Sequence, residues 1–172
     1  MRSNDPLFAG TTKGETPPLY TSEQRRRRDE SVWTLVQGIL APVQFLIFLV
    51  SLALVVRYLN TGDGAAAATI SIVVKTIALY TIMITGSIWE KVVFDKWLFV
   101  PAFYWEDVFS MLVLALHTAY LVALFWDIGT ERERMLLALA AYATYAINAG
   151  QFILKLRAAR LQSARPGMAV AA

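Results

Sequence analysis

WEKVVFDKWLFVPAFYWEDVFSM, residues 89–111, joins two apolar runs that are each long enough to cross a bilayer. The run before it carries a single lysine, Lys75, at its centre; the run after it carries Glu106, Asp107, Ser110 and His117. An ionisable side chain in hydrocarbon costs about 3 kcal/mol on insertion scales, so polar groups gathered around such a crossing mark a candidate site. The rest of the chain reads as the frame that holds it.

The chain has 172 residues, of which 57% are apolar and 17% charged, and a mean hydropathy of +0.50. That apolar fraction exceeds the roughly 45–50% of an ordinary soluble domain and implies one small membrane domain. The absence of cysteine excludes disulfides, thiolate metal sites, iron–sulfur clusters and thiol nucleophiles. His117 is the single histidine and cannot alone build a His-rich metal site. Ser110, seven residues before it, lies about 10 Å away along a helix, too far for a Ser/His nucleophile pair. No glycine pattern approaches a phosphate-binding loop. Carboxylate, lysine, imidazole and amide chemistry remain.

Residues 1–30 are polar, contain Pro6, Pro17 and Pro18, and lack the apolar core of a cleavable signal; they read as a mobile cytoplasmic lead. The lead ends in Arg25, Arg26, Arg27 and Arg28, directly before the first apolar run, which suits a topogenic charge cluster better than a nucleic-acid-binding tail. No nucleic-acid partner is expected. Four spans follow, at 32–58, 65–89, 103–126 and 135–156, each covering the roughly 20 residues a crossing needs. Short polar joints between them favour antiparallel neighbours. The expected fold is therefore all-α, a polytopic membrane protein built as a four-transmembrane-helix up-and-down bundle over residues 31–160, with residues 161–172 as a cytoplasmic tail. With the N-terminus cytoplasmic, that side holds twelve basic residues and the far side only Arg57, Arg132 and Arg134, so the positive-inside rule puts both termini in the cytoplasm. Pro42 removes the backbone bond to Gly38 and predicts a kink that opens a slot beside Gln37 and Gln44, unless it is an ordinary membrane-helix proline.

Within the third span Glu106 and His117 are eleven residues apart, about 20° different around the axis and about 16 Å apart along it, with Ser110 between them. Lys75 and His117 fall at similar depth on consecutive helices. Gln44, Asn148 and Gln151 fall nearer the cytoplasmic end. The pattern is a polar wedge, wide at Glu90, Glu106 and Asp107 and narrowing to Lys75 and His117. A plainer reading pairs the three acids with Lys91 and Lys96 at the interface, and makes His117 a hydrogen-bond donor between helices. Lys75 is too deep to snorkel and requires a partner or a water-filled cavity.

Four stretches carry a resemblance: YTSEQRRRRDESVWTLVQGILAPVQF (20–45), VKTIALYTIMITGSIWEKVVF (74–94), FYWEDVFSMLVLALHTAYL (103–121) and AYATYAINAGQFILKLRAARL (141–161). Long and collinear, they closely resemble the bacteriochlorophyllide 3-vinyl hydratases of anoxygenic phototrophs. The resemblance implies hydration of the 3-vinyl group of chlorophyllide a to a 3-(1-hydroxyethyl) product in a bacterial inner, intracytoplasmic membrane. The implied partners are the tetrapyrrole, water and the bilayer, with a homo-oligomer or contacts to other pigment-biosynthesis enzymes as further expectations. Water adds to an alkene without a redox cofactor, metal or nucleotide, so no cofactor is expected. The reaction asks for an acid to protonate the terminal vinyl carbon and a base to direct water onto the inner one.

Under that implication the catalytic candidates are Glu106, Asp107 and Glu90, and the substrate-binding candidates are His117, Lys75, Asn148 and Gln44. Orientation favours Glu106 as the acid, because Asp107 is turned about 100° from the His117 stripe. His117 is either an axial ligand to the substrate's magnesium or a helix-to-helix hydrogen bond. A non-catalytic pigment-binding or assembly protein is the rival reading, and a small transporter or proton relay a third.

Overall fold

The computed structural model describes residues 19–163, and five helices account for most of them: α1 (Ser22–Glu30), α2 (Val32–Thr61), α3 (Ala65–Phe94), α4 (Tyr104–Phe125) and α5 (Glu131–Ser163). Among the described residues there is no strand, and α2 to α5 are each long and apolar enough to cross a membrane. Helix ends follow local chemistry. Ser31 caps α2 by accepting the Trp33 N–H at 3.2 Å, and Gly62 stops it in the left-handed conformation that residues with a Cβ avoid. Thr130 and Glu133 form a reciprocal cap at the start of α5, with Thr130 N–H donating to Glu133 Oε2 at 2.7 Å and Glu133 N–H to Thr130 Oγ1 at 3.2 Å.

The lead differs from the sequence expectation in its last third. A Thr21/Gln24 capping box starts α1 there, and Glu23 pairs with Arg26 and Arg27 at 3.0 Å each. Tyr20 is buried against Phe94 and Phe103, with ring centroids 5.7 and 6.4 Å away, so the residues before the first span are packed on the bundle. The remainder of the lead, and the tail beyond residue 163, lie outside the described residues.

Two antiparallel hairpins, α2–α3 and α4–α5, make the up-and-down bundle, each packed closely within itself and more loosely against the other, where α2 meets α5 and α3 meets α4. Side-chain contacts give the register: Tyr80 meets Thr118 at 2.8 Å, and ten residues further along α3 Glu90 meets Asp107, eleven residues back along α4. The main core holds Phe48, Val55, Ile72, Leu79, Val113, Tyr120, Met135, Tyr142 and Tyr145. A second cluster of Tyr20, Val93, Val100 and Phe103, flanked by Trp89, Phe94 and Phe152, closes the bundle at the α3–α4 connection. Helix α2 continues through Pro42. Gln37, expected beside a slot, instead donates from Nε2 to Thr85 Oγ1 at 2.7 Å and ties α2 to α3.

Candidate active site

The connection between α3 and α4 folds back over the helix ends, and this places the acids. Glu90 sits on the last full turn of α3, while Glu106 and Asp107 sit in the first turn of α4. All three are buried, at 6, 7 and 4% exposure. Phe99, with φ +58°, takes the left-handed conformation and aims its N–H at Asp107 Oδ2, 2.8 Å away; the next backbone N–H, of Val100, turns toward Glu90. Successive backbone donors of this kind form a concavity suited to carboxylates. The Glu90 and Asp107 carboxyls face one another as close neighbours across α3 and α4, and Glu90 Oε2 is buried without a hydrogen-bond partner among the described residues. Two buried carboxyls so close favour holding one proton between them over carrying two like charges.

Glu106 plays a different part. Its Oε2 lies 2.6 Å from Lys155 Nζ, an ion pair in which Glu106 is 9% and Lys155 28% exposed at the side chain. The ammonium also lies 5.1 Å from the Phe103 ring. One turn further along α4, Ser110 Oγ accepts from Asn148 Nδ2 at 2.8 Å. Asn148 Oδ1 and Gln151 Oε1 are buried acceptors without a partner. Lys91, expected to serve the acids, pairs with Asp95 at 2.7 Å instead.

The sequence reading thus differs from the structure in how it divides the acids. Asp107 is turned from Glu106 as helical geometry requires, but the face it turns to is covered by residues 99 and 100 rather than by solvent. Glu106, the expected acid, is paired with Lys155, whereas Glu90 and Asp107 face each other. Two contributors escaped the sequence reading: the Phe99 and Val100 N–H groups, which no side-chain pattern announces, and Lys155. The lysine did leave a signal, since Asn148, Gln151 and Lys155 recur at helical spacing on one face of α5.

The wedge does not run continuously to the middle of the bundle. Lys75 is fifteen residues, about 22 Å, from Glu90 along α3, and His117 ten residues, about 15 Å, from Asp107 along α4. Leu79 and Val113, at 3 and 0% exposure, fill the space between. His117 is fully buried, with its ring 5.8 Å from that of Tyr142. Its Nδ1 meets the Val113 carbonyl at 2.8 Å; a carbonyl only accepts, so Nδ1 carries the hydrogen and Nε2 is bare. Its hydrogen bond stays within α4 and Nε2 has no partner among the described residues, so His117 is a buried core residue, and a macrocycle would reach Nε2 only by parting α4 from its neighbours. Nearby, Tyr142 OH and Ser71 Oγ both bond Ser51 Oγ, at 2.5 and 2.7 Å. Gln44, 3% exposed, lies on the same core-facing stripe of α2 as Ser51.

Lys75 is fully buried, its Nζ lying 3.9 Å from the centre of the Tyr145 ring with no hydrogen-bond partner. A desolvated cation–π contact returns about 2 kcal/mol, less than the roughly 3 kcal/mol or more that a mid-membrane ammonium costs. Lys75→Met should therefore raise resistance to denaturation by about 1 kcal/mol and leave pigment binding unchanged, because Glu90 is about four helical turns away along α3. Thermal unfolding in detergent, with absorption of bound pigment, measures both; a loss of pigment binding would return Lys75 to the site.

Fold and site together define a multi-pass membrane protein with a cluster of three buried acids at one end of its helical bundle. More specifically, the chain belongs to the 2-vinyl bacteriochlorophyllide hydratase family, whose sequence profile matches residues 20–158. It is 68% identical over 146 residues to the 2-vinyl bacteriochlorophyllide hydratase of Rhodobacter capsulatus, which covers 85% of each chain. It is also 68% identical over 143 residues to the protein of that name from Cereibacter sphaeroides, covering 83% of this chain and 89% of the relative. No solved structure matches the chain.

Proposed function

We propose that this chain hydrates the vinyl group of a chlorophyllide, at the carbon the family's name numbers 2 and systematic tetrapyrrole numbering calls 3, to give a 1-hydroxyethyl group on the route to bacteriochlorophyll. The observation that carries the reading is the buried Glu90/Asp107 pair, a ready source of one proton and one basic oxygen in a family named for adding water. Position on the helices assigns the roles. Asp107 lies at the N-terminal end of α4, where the helix dipole and the Phe99 N–H favour a negative charge. Glu90 lies near the C-terminal end of α3, where the dipole opposes one, so the shared proton belongs to Glu90.

Glu90 gives its proton to the terminal vinyl carbon, forming a methyl group and leaving a cation on the inner carbon that the macrocycle delocalises. The Asp107 carboxylate stabilises that cation and takes a proton from the water that attacks it. The water's remaining O–H becomes the product hydroxyl, and the proton on Asp107 returns across the pair to Glu90, closing the cycle without oxidation or reduction. Asn148 Oδ1 or Gln151 Oε1, both unpartnered among the described residues, suits the one O–H that this water does not give to Asp107. Purified protein mixed with vinyl chlorophyllide and no added cofactor tests the reading through a product heavier by one water; unchanged pigment, bound but not hydrated, would favour the pigment-binding alternative.

The charge count supports a bacterial inner or intracytoplasmic membrane orientation with both termini, and the acid site, on the cytoplasmic side. Reporter fusions at Asp63 and at Ala172 should fall on opposite faces. Finding both on one face would overturn this topology.

A further inference from the structure

A second polar centre lies at the end of the bundle away from the acids. A cavity of about 320 Å³ opens there between the first turns of α3 and α5 and the last turn of α4, with Ala66, Thr69, Ile70, Leu124, Glu131 and Arg134 in its wall. Its volume falls at the lower end of the range of small-molecule sites, roughly 300–1,000 Å³. The ends of membrane-spanning helices lie at headgroup depth, where charged side chains are ordinary. Three features here are not. First, the Arg134 side chain is 13% exposed, yet among the described residues only its Nη1 finds an acceptor, Asp127 Oδ1 at 2.7 Å. The Asp127 side chain is 91% exposed, so that pair sits largely in water and contributes little. Second, Tyr120 is fully buried, and its hydroxyl, beside Thr69 of the cavity wall, has no partner among the described residues. Third, Glu131 and Arg134 bring opposite charges to one cavity but turn to separate partners, Glu131 Oε2 accepting the Tyr58 O–H at 3.2 Å.

A largely buried guanidinium with donors to spare suits a phosphate, which it can grip through two parallel N–H bonds. A free phosphate would also face the Glu131 carboxylate, a like charge. A group that carries an ammonium beside its phosphate turns that repulsion into a second contact. Ile70, on the rim of the cavity and 64% exposed, leaves a way out toward lipid for acyl chains.

We propose that this cavity seats the headgroup of a phospholipid that carries both a phosphate and a primary ammonium. The phosphate lies on Arg134, the ammonium on Glu131, and the Tyr120 hydroxyl donates to an ester oxygen below them. Because α3 belongs to one hairpin and α4 and α5 to the other, a lipid held there ties the two hairpins together at the end opposite the acids.

Native mass spectrometry of the full-length protein, delipidated in detergent, counts bound lipids directly. Phosphatidylethanolamine should bind about fivefold or more tightly than phosphatidylglycerol, which lacks the ammonium, and than phosphatidylcholine, whose ammonium has no N–H to give Glu131. Arg134→Gln should weaken phosphatidylethanolamine binding about tenfold. Glu131→Gln should erase the preference over phosphatidylglycerol, and Arg132→Gln, at an exposed neighbour outside the cavity wall, should change neither. Ala66→Trp, at an exposed position in the first turn of α3, fills the cavity without touching the core and should lose the tight lipid even if Arg134→Gln fails to fold. Equal binding of the three lipids, or a tight lipid retained by Ala66→Trp, would overturn the proposal. Displacement of the lipid by inorganic phosphate alone would overturn it too, assigning the cavity to a free anion.

Discussion

Glu90→Gln is expected to lower vinyl hydration at least about 100-fold, the lower end of what a positioned general acid contributes, with pigment binding changed by less than about threefold. Gln keeps the size of the side chain and can still accept from the Val100 N–H, but it has no proton to give an alkene carbon. Asp107→Asn should cost a similar factor for a different reason. The amide neither stabilises the cation nor accepts a proton from water, though its oxygen still accepts the Phe99 N–H that holds the connection in place. Glu106→Gln should retain most of the rate, since its partner is Lys155 rather than the reacting pair. The order of the three variants is the informative result. Hydration lost in Glu106→Gln and kept in Glu90→Gln would restore the assignment that helical orientation alone suggests.

The second large effect is on stability. Lys155→Met removes the cation from a pair 2.6 Å apart and leaves the Glu106 carboxylate, 7% exposed as a residue, among Phe103 and its neighbours. Breaking a fully buried pair from one side costs about 3–5 kcal/mol, and the 28% exposure of the Lys155 side chain brings the expected loss to about 2–3 kcal/mol. Glu106→Gln added to Lys155→Met removes the stranded charge and should restore more than half of the loss. A double-mutant cycle of unfolding in detergent reads the coupling directly. Additive losses would mean that the two side chains do not meet in the membrane-embedded protein.

The helices were legible in the sequence because hydropathy and length dominate a membrane fold: three of the four spans fall inside α2, α3 and α5, and the third overruns α4 by one residue at each end. Their ends were less so. Hydropathy marks the stretch that lipid can cover, whereas the hydrogen-bonded helix continues until a cap stops it, at Gly62 for α2 and at Asp95, with φ +62°, for α3. The acids, Ser110, Asn148 and Lys75 were visible as polar residues in apolar runs. Their grouping was not. Rotation about one helix axis separated Asp107 from Glu106 but could not show that the returning connection covers Asp107, and a wedge drawn down to Lys75 and His117 passed over the layer that Leu79 and Val113 fill. Contacts of that kind depend on how a loop folds back and how two hairpins pack, and neither leaves a period in the sequence.

Isotope placement in the product tests the central claim most directly. Purified protein given vinyl chlorophyllide in deuterated water should form a hydroxyethyl product with one deuterium on its methyl carbon, and in oxygen-18 water one heavy oxygen on the adjacent carbon. Neither label should appear in pigment incubated with the Glu90→Gln protein. Label incorporated at the parental rate by Glu90→Gln, or a hydroxyl oxygen that does not come from water, would contradict the account.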